Sequence, residues 1–375
     1  MNFIVSSAVL ARHLSKVSGA IPSRAMPPII ANFLFEVGNN VLTISTTNLE
    51  SSMQTRLEVE SRGETIKAAV PPKILLDIIK ALPEQPLTFN IDEETFAIEI
   101  SSDNGNYKIS GENGENFPTI PSHVGTESIN MPIQVLLRAI NKVLFAASAD
   151  EDRAALNGMF FELGEHGATF VATDAHRLVR YIRPDVTVAT ATKFIIPQKA
   201  LLLVKNSLDA SDNREVTIHY NENNAFFLTE NVTTVCRLID QKYPNYSNVI
   251  PADNPHKLFI SKSDLQLSLR RVNIFANKVS HQVRFSLKSD ILEISAEDDE
   301  HANAAKESLR CQYDGEDMDI GFNAAFLADI VANADTSNIV IEMSAPNRAG
   351  IVLPEMQEDG ENMLMLIMPI MLSNH

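Results

Sequence analysis

The sequence is poor in several residue types on which whole classes of protein depend. It has two cysteines, Cys236 and Cys311, in 375 residues, and no tryptophan. Two cysteines are too few for a disulfide framework, which indicates a reducing compartment, so we expect a cytoplasmic protein. The longest apolar run, 363–372, contains Pro369 and is about half as long as a membrane-spanning helix. We therefore predict no membrane segment and, without a basic and apolar leader, no signal peptide.

Positive charge is also scarce, with 31 Lys plus Arg against 48 Asp plus Glu and a net charge of −17. An acidic total argues against a conventional DNA-binding surface, whose affinity comes mainly from Lys and Arg contacts with phosphates. It leaves open a protein in which the basic residues are segregated.

The length predicts two to four domains at roughly 100–200 residues each.

A threefold repeat organises the chain. An amphipathic helix pattern with Leu10, Leu14 and Val17 on one face recurs around Leu136 and again around Leu265. A second helical segment begins near positions 71, 197 and 323. Strand-like stretches with turn residues between them follow each helix. The repeat predicts an α+β fold of three domains, 1–122, 123–251 and 252–375, each with two helices packed on antiparallel sheets.

The positive charge concentrates in the six predicted helical segments, 6–21, 71–82, 131–149, 197–208, 262–279 and 323–334. Their acidic residues are Asp77, Asp264 and Asp329, and no glutamate occurs there. Their basic residues are Arg12, Lys16, Lys73, Lys80, Arg138, Lys142, Lys199, Lys205, Lys262, Arg270, Arg271 and Lys278. Lys and Arg are good helix formers, but Glu shares that propensity, so we interpret the bias as functional. Basic helices in an acidic body are typical of a surface that faces duplex DNA.

Two short clusters suggest chemistry. Asp174 and His176 could form a catalytic base and its orienting partner, which keeps a hydrolase as an alternative to a structural turn or a pocket wall. The acidic segment Glu297–Glu300 with His301 lacks the alternating ligands and the turn glycine of a calcium loop. We interpret it as a solvated loop, and we expect no metal, no cofactor and no catalytic residue.

The apolar C-terminal segment 363–372 has two interpretations. A continuous apolar run suits a strand that is covered on both faces, and Pro369 favours a strand end. Methionine is favoured at surfaces that accept several partners. We expect the segment to serve as a core strand and as part of a partner pocket.

Assembled, these features resemble the bacterial DNA sliding clamp family, the beta subunit of the replicative DNA polymerase III. The resemblance covers essentially the whole chain. Its markers are Val17-Ser18-Gly19 with Arg24, Leu156-Asn157-Gly158-Met159, the segment from Val171 to Leu178, Tyr243-Pro244-Asn245-Tyr246 and Met368-Pro369. The resemblance implies a non-enzymatic processivity factor, a head-to-tail homodimer that closes into a ring around duplex DNA and slides along it. A clamp-like scaffold that is not loaded on DNA is the alternative.

The implied partners are duplex DNA bound without sequence preference, a second copy of the chain, the catalytic subunit of the replicative polymerase, a clamp loader, and repair polymerases and ligase-type proteins that bind through short peptide motifs. The resemblance places the peptide-binding pocket at Leu156, Thr173, His176, Arg177, Leu178, Pro244, Val249, Met368, Pro369, Ile370, Met371 and Leu372, with Phe326 at its rim. Residues matching family positions near DNA are Arg24, Arg153 and Lys199, to which the charged helices add Arg12, Lys16, Arg138, Lys142 and Arg271. The implied dimer contact uses Tyr107 on one side, with Ile274 and Phe275 on the other.

The sequence departs from the family pattern at four places. Ala175 replaces a common glycine, which predicts a turn without positive φ. Met371 stands where Arg is usual, Asn248 stands where Arg is frequent at the pocket edge, and the tail 373–375 is additional. We expect the polar contacts of a bound peptide to differ while the apolar anchor sites remain.

Overall fold

A computed structural model describes residues 1–211, 214–298 and 300–372. Within these residues it contains the six helices that the repeat predicts. They are α1 (Ser7–Val17), α2 (Pro72–Ala81), α3 (Ile133–Val143), α4 (Gln198–Ser207), α5 (Lys262–Val272) and α6 (Ala324–Ala332). No helix among the described residues combines the length and the apolar character needed to cross a bilayer.

The described residues also form 27 strands. In the first half of the chain these are β1 (Asn2–Ser6), β2 (Phe33–Gly38), β3 (Val41–Thr47), β4 (Ser51–Glu58), β5 (Glu60–Arg62), β6 (Ile66–Val70), β7 (Pro86–Ile91), β8 (Ala97–Ser102), β9 (Gly105–Ser110), β10 (Glu112–Asn113), β11 (Glu127–Pro132), β12 (Gly158–Gly164), β13 (Gly167–Thr173) and β14 (Arg177–Arg183). In the second half they are β15 (Thr192–Pro197), β16 (Glu215–Tyr220), β17 (Asn224–Leu228), β18 (Val232–Arg237), β19 (His256–Ser261), β20 (Gln282–Leu287), β21 (Ile291–Asp298), β22 (Asn303–Arg310), β23 (Gln312–Tyr313), β24 (Met318–Asn323), β25 (Asn338–Met343), β26 (Gly350–Pro354) and β27 (Asn362–Ile367).

Local sequence signals account for several of these element ends. Asn323 caps α6, because its side-chain oxygen accepts the backbone N–H of Phe326 at 3.0 Å. Asn39 and Asn40 join β2 to β3 with φ of 53° and 60°, the left-handed pair that a two-residue hairpin turn requires. The sequence predicts turn residues between its strand-like stretches, and Asn39 and Asn40 form such a turn here.

The first compact unit comprises Met1–Leu137 and Lys199–Leu238. It holds a five-stranded sheet, β5-β1-β7-β8-β9, and a nine-stranded sheet, β10-β6-β2-β3-β4-β18-β17-β16-β11. β4 and β18 pair antiparallel with Thr55 opposite Val232, so the larger sheet runs across the predicted boundary at 122. The predicted apolar faces of the helices lie inside: Leu10, Leu14 and Val17 of α1 are fully buried.

The second compact unit comprises Arg138–Gln198 and Ile239–His375. It holds a nine-stranded sheet, β15-β12-β13-β14-β27-β26-β25-β19-β23, and a four-stranded sheet, β22-β21-β20-β24. β14 and β27 pair antiparallel with Leu178 opposite Leu366, so this sheet crosses the predicted boundary at 251. The domain limits at 122 and 251 stay a prediction, and the structure shows that hydrogen-bonded sheets extend through both.

Candidate binding sites

The C-terminal segment enters the second unit as a buried strand and leaves it as an exposed tail. Met363 to Ile367 in β27 are buried, and the strand ends before Pro369, as predicted. Beyond it, the N–H of Met368 donates to the His176 carbonyl at 2.8 Å, and the N–H of Ile370 donates to the Gly321 carbonyl at 2.8 Å. A side chain at position 321 would collide with the Ile370 carbonyl, so glycine permits this approach.

The turn before β14 presents the polar residues of the predicted pocket. The Asp174 carboxylate accepts the N–H groups of His176 and Arg177, both at 2.9 Å, and the Thr173 hydroxyl donates to the Arg177 carbonyl at 2.6 Å. Ala175 has a φ of 77°. The expectation that alanine excludes positive φ here is wrong, because the side chains of Thr173 and Asp174 hold the turn in that conformation.

Arg177 is the buried charge of this site, with 8% of its surface exposed. Its Nε donates to Asp174 Oδ2 at 3.0 Å, and its Nη1 donates to Asp329 Oδ2 at 2.6 Å. Its Nη2 donates to the Phe145 carbonyl at 2.9 Å. The guanidinium also lies 4.8 Å from the centre of the Phe326 ring. These contacts compensate the loss of hydration and fix the guanidinium plane.

An apolar surface adjoins this charged centre. The Phe326 ring stacks on the exposed His176 ring at 5.7 Å, and Leu178 is buried opposite Leu366. Met371 is 71% exposed and Met368 is 41% exposed, whereas Pro369, Ile370 and Leu372 are partly buried. The structure therefore brings the strand β14, the helix α6 and the tail together.

The remaining predicted pocket residues lie on segments that pack beside Leu178. Leu156 is partly buried at the end of a short 3-10 helix, and Pro244 and Val249 are exposed. Their neighbours Ala155, Tyr243, Tyr246 and Ile250 belong to the same apolar cluster as Leu178 and Leu366. Burial raises the pKa of the Tyr243 hydroxyl, and its ring stacks on Phe160 at 4.6 Å.

Two further residues of this site escaped the sequence-based prediction. Asp329 holds Arg177 from α6, and Phe145 supplies both a carbonyl acceptor and a ring 5.4 Å from the guanidinium. Asp329 is the only acidic residue of α6. A buried arginine needs a carboxylate partner, and that requirement could have drawn attention to Asp329.

The arrangement does not favour the hydrolase alternative. The Asp174 carboxylate is occupied by two backbone N–H groups and the Arg177 guanidinium. The His176 ring stacks on Phe326 and has no hydrogen bond to Asp174 among the described residues. A base and its orienting partner need that bond.

The predicted DNA-facing residues fall into two groups. Arg12 on α1 and Arg24 in the loop after it are exposed, Lys16 is partly buried, and Lys199 is exposed on α4. Arg153 is exposed and lies 3.3 Å from the carboxylate of its neighbour Asp150. The other three are held by partners within the second unit: Arg138 and Lys142 by Asp335, and Arg271 by Glu307.

The predicted dimer-contact residues lie at or near sheet edges. Tyr107 is in β9, the last strand of the five-stranded sheet, and is partly buried. Ile274 and Phe275 follow α5 and are 63% and 40% exposed. β22 is the last strand of the four-stranded sheet in the second unit.

The acidic segment near His301 contains three residues whose ligand atoms lie within 4.8 Å of one another, Asp298, Glu300 and His301. His301 Nδ1 lies 2.9 Å from Asp298 Oδ2, and the other oxygen of this buried carboxylate, Oδ1, has no hydrogen-bond partner among the described residues. Asp299 and the tail 373–375 lie outside the described residues.

Three domain models of one family match successive parts of the chain. They are the N-terminal, central and C-terminal domains of the DNA polymerase III beta subunit, at residues 1–121, 130–245 and 247–370. The chain is 26% identical to the beta sliding clamp of Pseudomonas aeruginosa over 373 residues, which cover 99% of this chain and 100% of that protein.

Solved structures agree with these matches. The chain is similar to the DNA polymerase III beta subunit of Thermotoga maritima, with a TM-score of 0.90 and 26% identity, and to a Pseudomonas aeruginosa sliding clamp bound to griselimycin, with a TM-score of 0.91 and 25% identity. Each match covers 99% of this chain and 100% of the other. The predicted family resemblance and the predicted α+β fold of three clamp domains are confirmed. The chain belongs to the DNA polymerase III beta subunit family.

Proposed function

We propose that this chain is a DNA polymerase processivity factor, a sliding clamp that has no catalytic site of its own. The observation that carries the proposal is the match of all three beta-subunit domains in order along the chain. Two copies would close head to tail into a ring around duplex DNA in the cytoplasm. A closed ring holds DNA by topology, so it needs little phosphate affinity and can slide.

Ring closure would use two unpaired sheet edges. β9, which carries Tyr107, and β22, which packs against the helix α5 that precedes Ile274 and Phe275, each end a sheet within their own unit. An uncovered edge strand offers free N–H and C=O groups for pairing with another chain. In a head-to-tail dimer, the β9 edge of one copy would meet the β22 edge of the other, and Ile274 and Phe275 would bury their exposed apolar surface.

The tail, α6 and the turn before β14 would bind short peptides from partner proteins. Exposed Met368 and Met371 beside Phe326 offer adaptable apolar contacts, and the fixed Arg177 keeps the floor of the site in place. The expected ligands are extended segments of the replicative polymerase, the clamp loader, repair polymerases and ligase-type proteins. A clamp structure bound to griselimycin in Pseudomonas aeruginosa supports ligand binding within this family.

The decisive experiment is topological. The protein is loaded onto nicked circular DNA by an active clamp loader and washed in high salt, and the circle is then linearised. Retention on the circle followed by release from the free ends is the expected result. Salt-sensitive loss from both forms would contradict ring closure.

A matched pair of variants separates the ring from the pocket. Ile274→Asp with Phe275→Asp places charges in the dimer contact, so it should abolish retention on the circle. Met371→Ala with Leu372→Ala should leave retention unchanged. If the unmodified protein binds partner peptides but is never retained on circles, the scaffold alternative replaces the clamp.

A further inference from the structure

The cations on α1 and α2 of the first unit differ from most of those on α3 and α5 of the second unit in what they contact. In the first unit, Arg12 and Lys16 on α1 and Lys73 and Lys80 on α2 have no hydrogen bond or ion pair with any described residue. Arg12, Lys73 and Lys80 are exposed, and Lys16 is partly buried. Each of them keeps its full charge available for an anion in solution.

The cations of α3 in the second unit are held by carboxylates. Arg138 donates from Nε to Glu361 at 2.6 Å and from Nη2 to Asp335 at 2.8 Å, and lies 3.3 Å from Glu358. Hydrogen bonding to Glu361 raises the pKa of Arg138. Lys142 is buried, donates to the Asn333 carbonyl at 2.6 Å and pairs with Asp335.

Two of the three α5 cations are also engaged, one by a carboxylate and one by backbone carbonyls. Arg271 makes a two-pronged contact with Glu307 at 2.7 and 2.6 Å. Lys262 donates to the carbonyls of Ala332 and Ala334 at the end of α6. Arg270 is exposed and has no partner among the described residues.

A cation in such a pair contributes little to phosphate binding. Where the partner is a carboxylate, it cancels the field of the cation beyond about one Debye length. Where the partner is a backbone carbonyl, as for Lys262, a phosphate would still have to compete for donors that are already engaged. An unpaired cation that neutralises a phosphate releases condensed counterions, which is the main source of affinity for duplex DNA. The number of helix cations in the sequence therefore overstates the number of phosphate contacts.

We infer that the α1 and α2 cations of the first unit make the helix contacts with the DNA backbone, and that Arg138, Lys142, Lys262 and Arg271 in the second unit are structural. This inference rests on the proposed function and names the DNA-contacting part of the same site. It predicts that removing charge from α1 and from α5 has unequal effects on DNA binding, although the change in net charge is equal.

The test is the salt dependence of binding to a fluorescein-labelled linear duplex, measured by anisotropy from low to moderate NaCl. Arg12→Gln with Lys16→Gln should make the slope of log K against log [NaCl] less steep by up to about 1.8, since each lost phosphate contact is worth about 0.9. Lys262→Gln with Arg271→Gln removes two positive charges as well and should leave the slope within about 0.5 of the unmodified value. Circular dichroism and light scattering check that both variants remain folded and dimeric.

A third variant tests the pairing directly. Glu307→Gln frees Arg271 from its carboxylate and should make the slope steeper by about 0.9, and an unchanged slope would contradict the claim that this pairing keeps Arg271 from phosphate. Equal effects of the α1 and α5 variants would overturn the inference, as would a duplex affinity that does not depend on salt. Retention of the unmodified protein on circular DNA is scored separately, so failure of the proposed function is distinguishable from failure of this assignment.

Discussion

Ala175 shows how a single residue can occupy a conformation that its side chain disfavours. Its φ of 77° places the Cβ against the backbone. The Thr173 hydroxyl accepts the Ala175 N–H at 3.1 Å, and Asp174 closes the turn by accepting the next two N–H groups. The surrounding hydrogen bonds offset the local strain, which a residue-by-residue interpretation of the sequence does not include.

Replacing Ala175 with glycine should stabilise the protein. Glycine removes the Cβ conflict, which is worth about 1–2 kcal/mol, but it loses about 0.5–1 kcal/mol of chain entropy, so a net gain of about 1 kcal/mol is expected. Thermal unfolding measures the change. Ala304→Gly, at an exposed strand position with ordinary φ, is the control and should destabilise. A lower midpoint for Ala175→Gly would contradict the account of the turn.

Arg177 illustrates a charge whose role depends on its geometry. Replacing it with lysine keeps the charge but removes the planar fork that contacts Asp174, Asp329 and the Phe145 carbonyl at once. We expect a loss of about 1–3 kcal/mol in the free energy of unfolding, measured by chemical denaturation. Arg153→Lys, at a half-exposed ion pair, should change it by less than about 0.5 kcal/mol. Similar effects of both substitutions would argue that the buried contacts of Arg177 contribute little.

At the scale of elements, α3 is tied to the segment before β27 by a cluster of opposite charges. Burial alone would raise the pKa values of Glu361 and Asp335, but hydrogen bonds and charges from Arg138 and Lys142 outweigh it and lower both. A hydrogen bond with the Tyr181 side chain also lowers the pKa of Glu361. The helix cations that the sequence suggests for DNA therefore hold two elements of the second unit together.

This cluster makes stability depend on pH in a defined direction. A carboxyl with a lowered pKa in the folded state contributes stability that is complete above its unfolded value, about 4, and is lost as the pH falls through the folded value. Glu361→Gln should therefore lower the free energy of unfolding by about 1–3 kcal/mol at pH 7, and the difference from the unmodified protein should shrink below about pH 4. Denaturant titrations across pH 3–7 measure both.

The matched control for the cluster is Glu316→Gln. Glu316 is exposed and makes no hydrogen bond or ion pair with any described residue. Its substitution should leave both the stability at pH 7 and the pH dependence unchanged. An unaltered pH profile in Glu361→Gln would show that the cluster does not stabilise the second unit.

For the whole molecule, the proposed peptide pocket and the proposed dimer contact consist of different residues. A substitution in one should therefore weaken peptide binding or dimer formation without affecting the other. Met371→Ala with Leu372→Ala removes apolar contact area at the tail, and a loss of about 1–3 kcal/mol in the binding free energy of a partner peptide is expected, about 5- to 150-fold in Kd. Calorimetry measures the affinity and light scattering measures the dimer. Met356→Ala, at an exposed methionine outside the pocket, is the control. Unchanged peptide affinity in the tail variant would contradict the pocket assignment.

The hydrophobic periodicity and the composition of the sequence were sufficient to predict the repeated architecture. The spacing of Leu10, Leu14 and Val17 predicts a helix because burial of one face follows directly from that spacing, and the structure buries all three. The paired asparagines at 39 and 40 and the strand end before Pro369 were equally predictable, because they depend on the backbone preferences of single residues. The three-domain family assignment came from motifs spread over the whole chain.

Only the tertiary structure shows which charged side chains pair across long stretches of sequence. Asp329 meets Arg177, and Asp335 meets Lys142, across more than a hundred residues of sequence, and no local pattern encodes which carboxylate reaches which cation. For the same reason, a count of helix cations could not separate the paired Arg138 and Arg271 from the unpaired Arg12. Hydrophobic period is a local property of the chain, whereas the partner of a charge depends on how distant elements pack, so only the tertiary structure distinguishes a structural cation from one available to DNA.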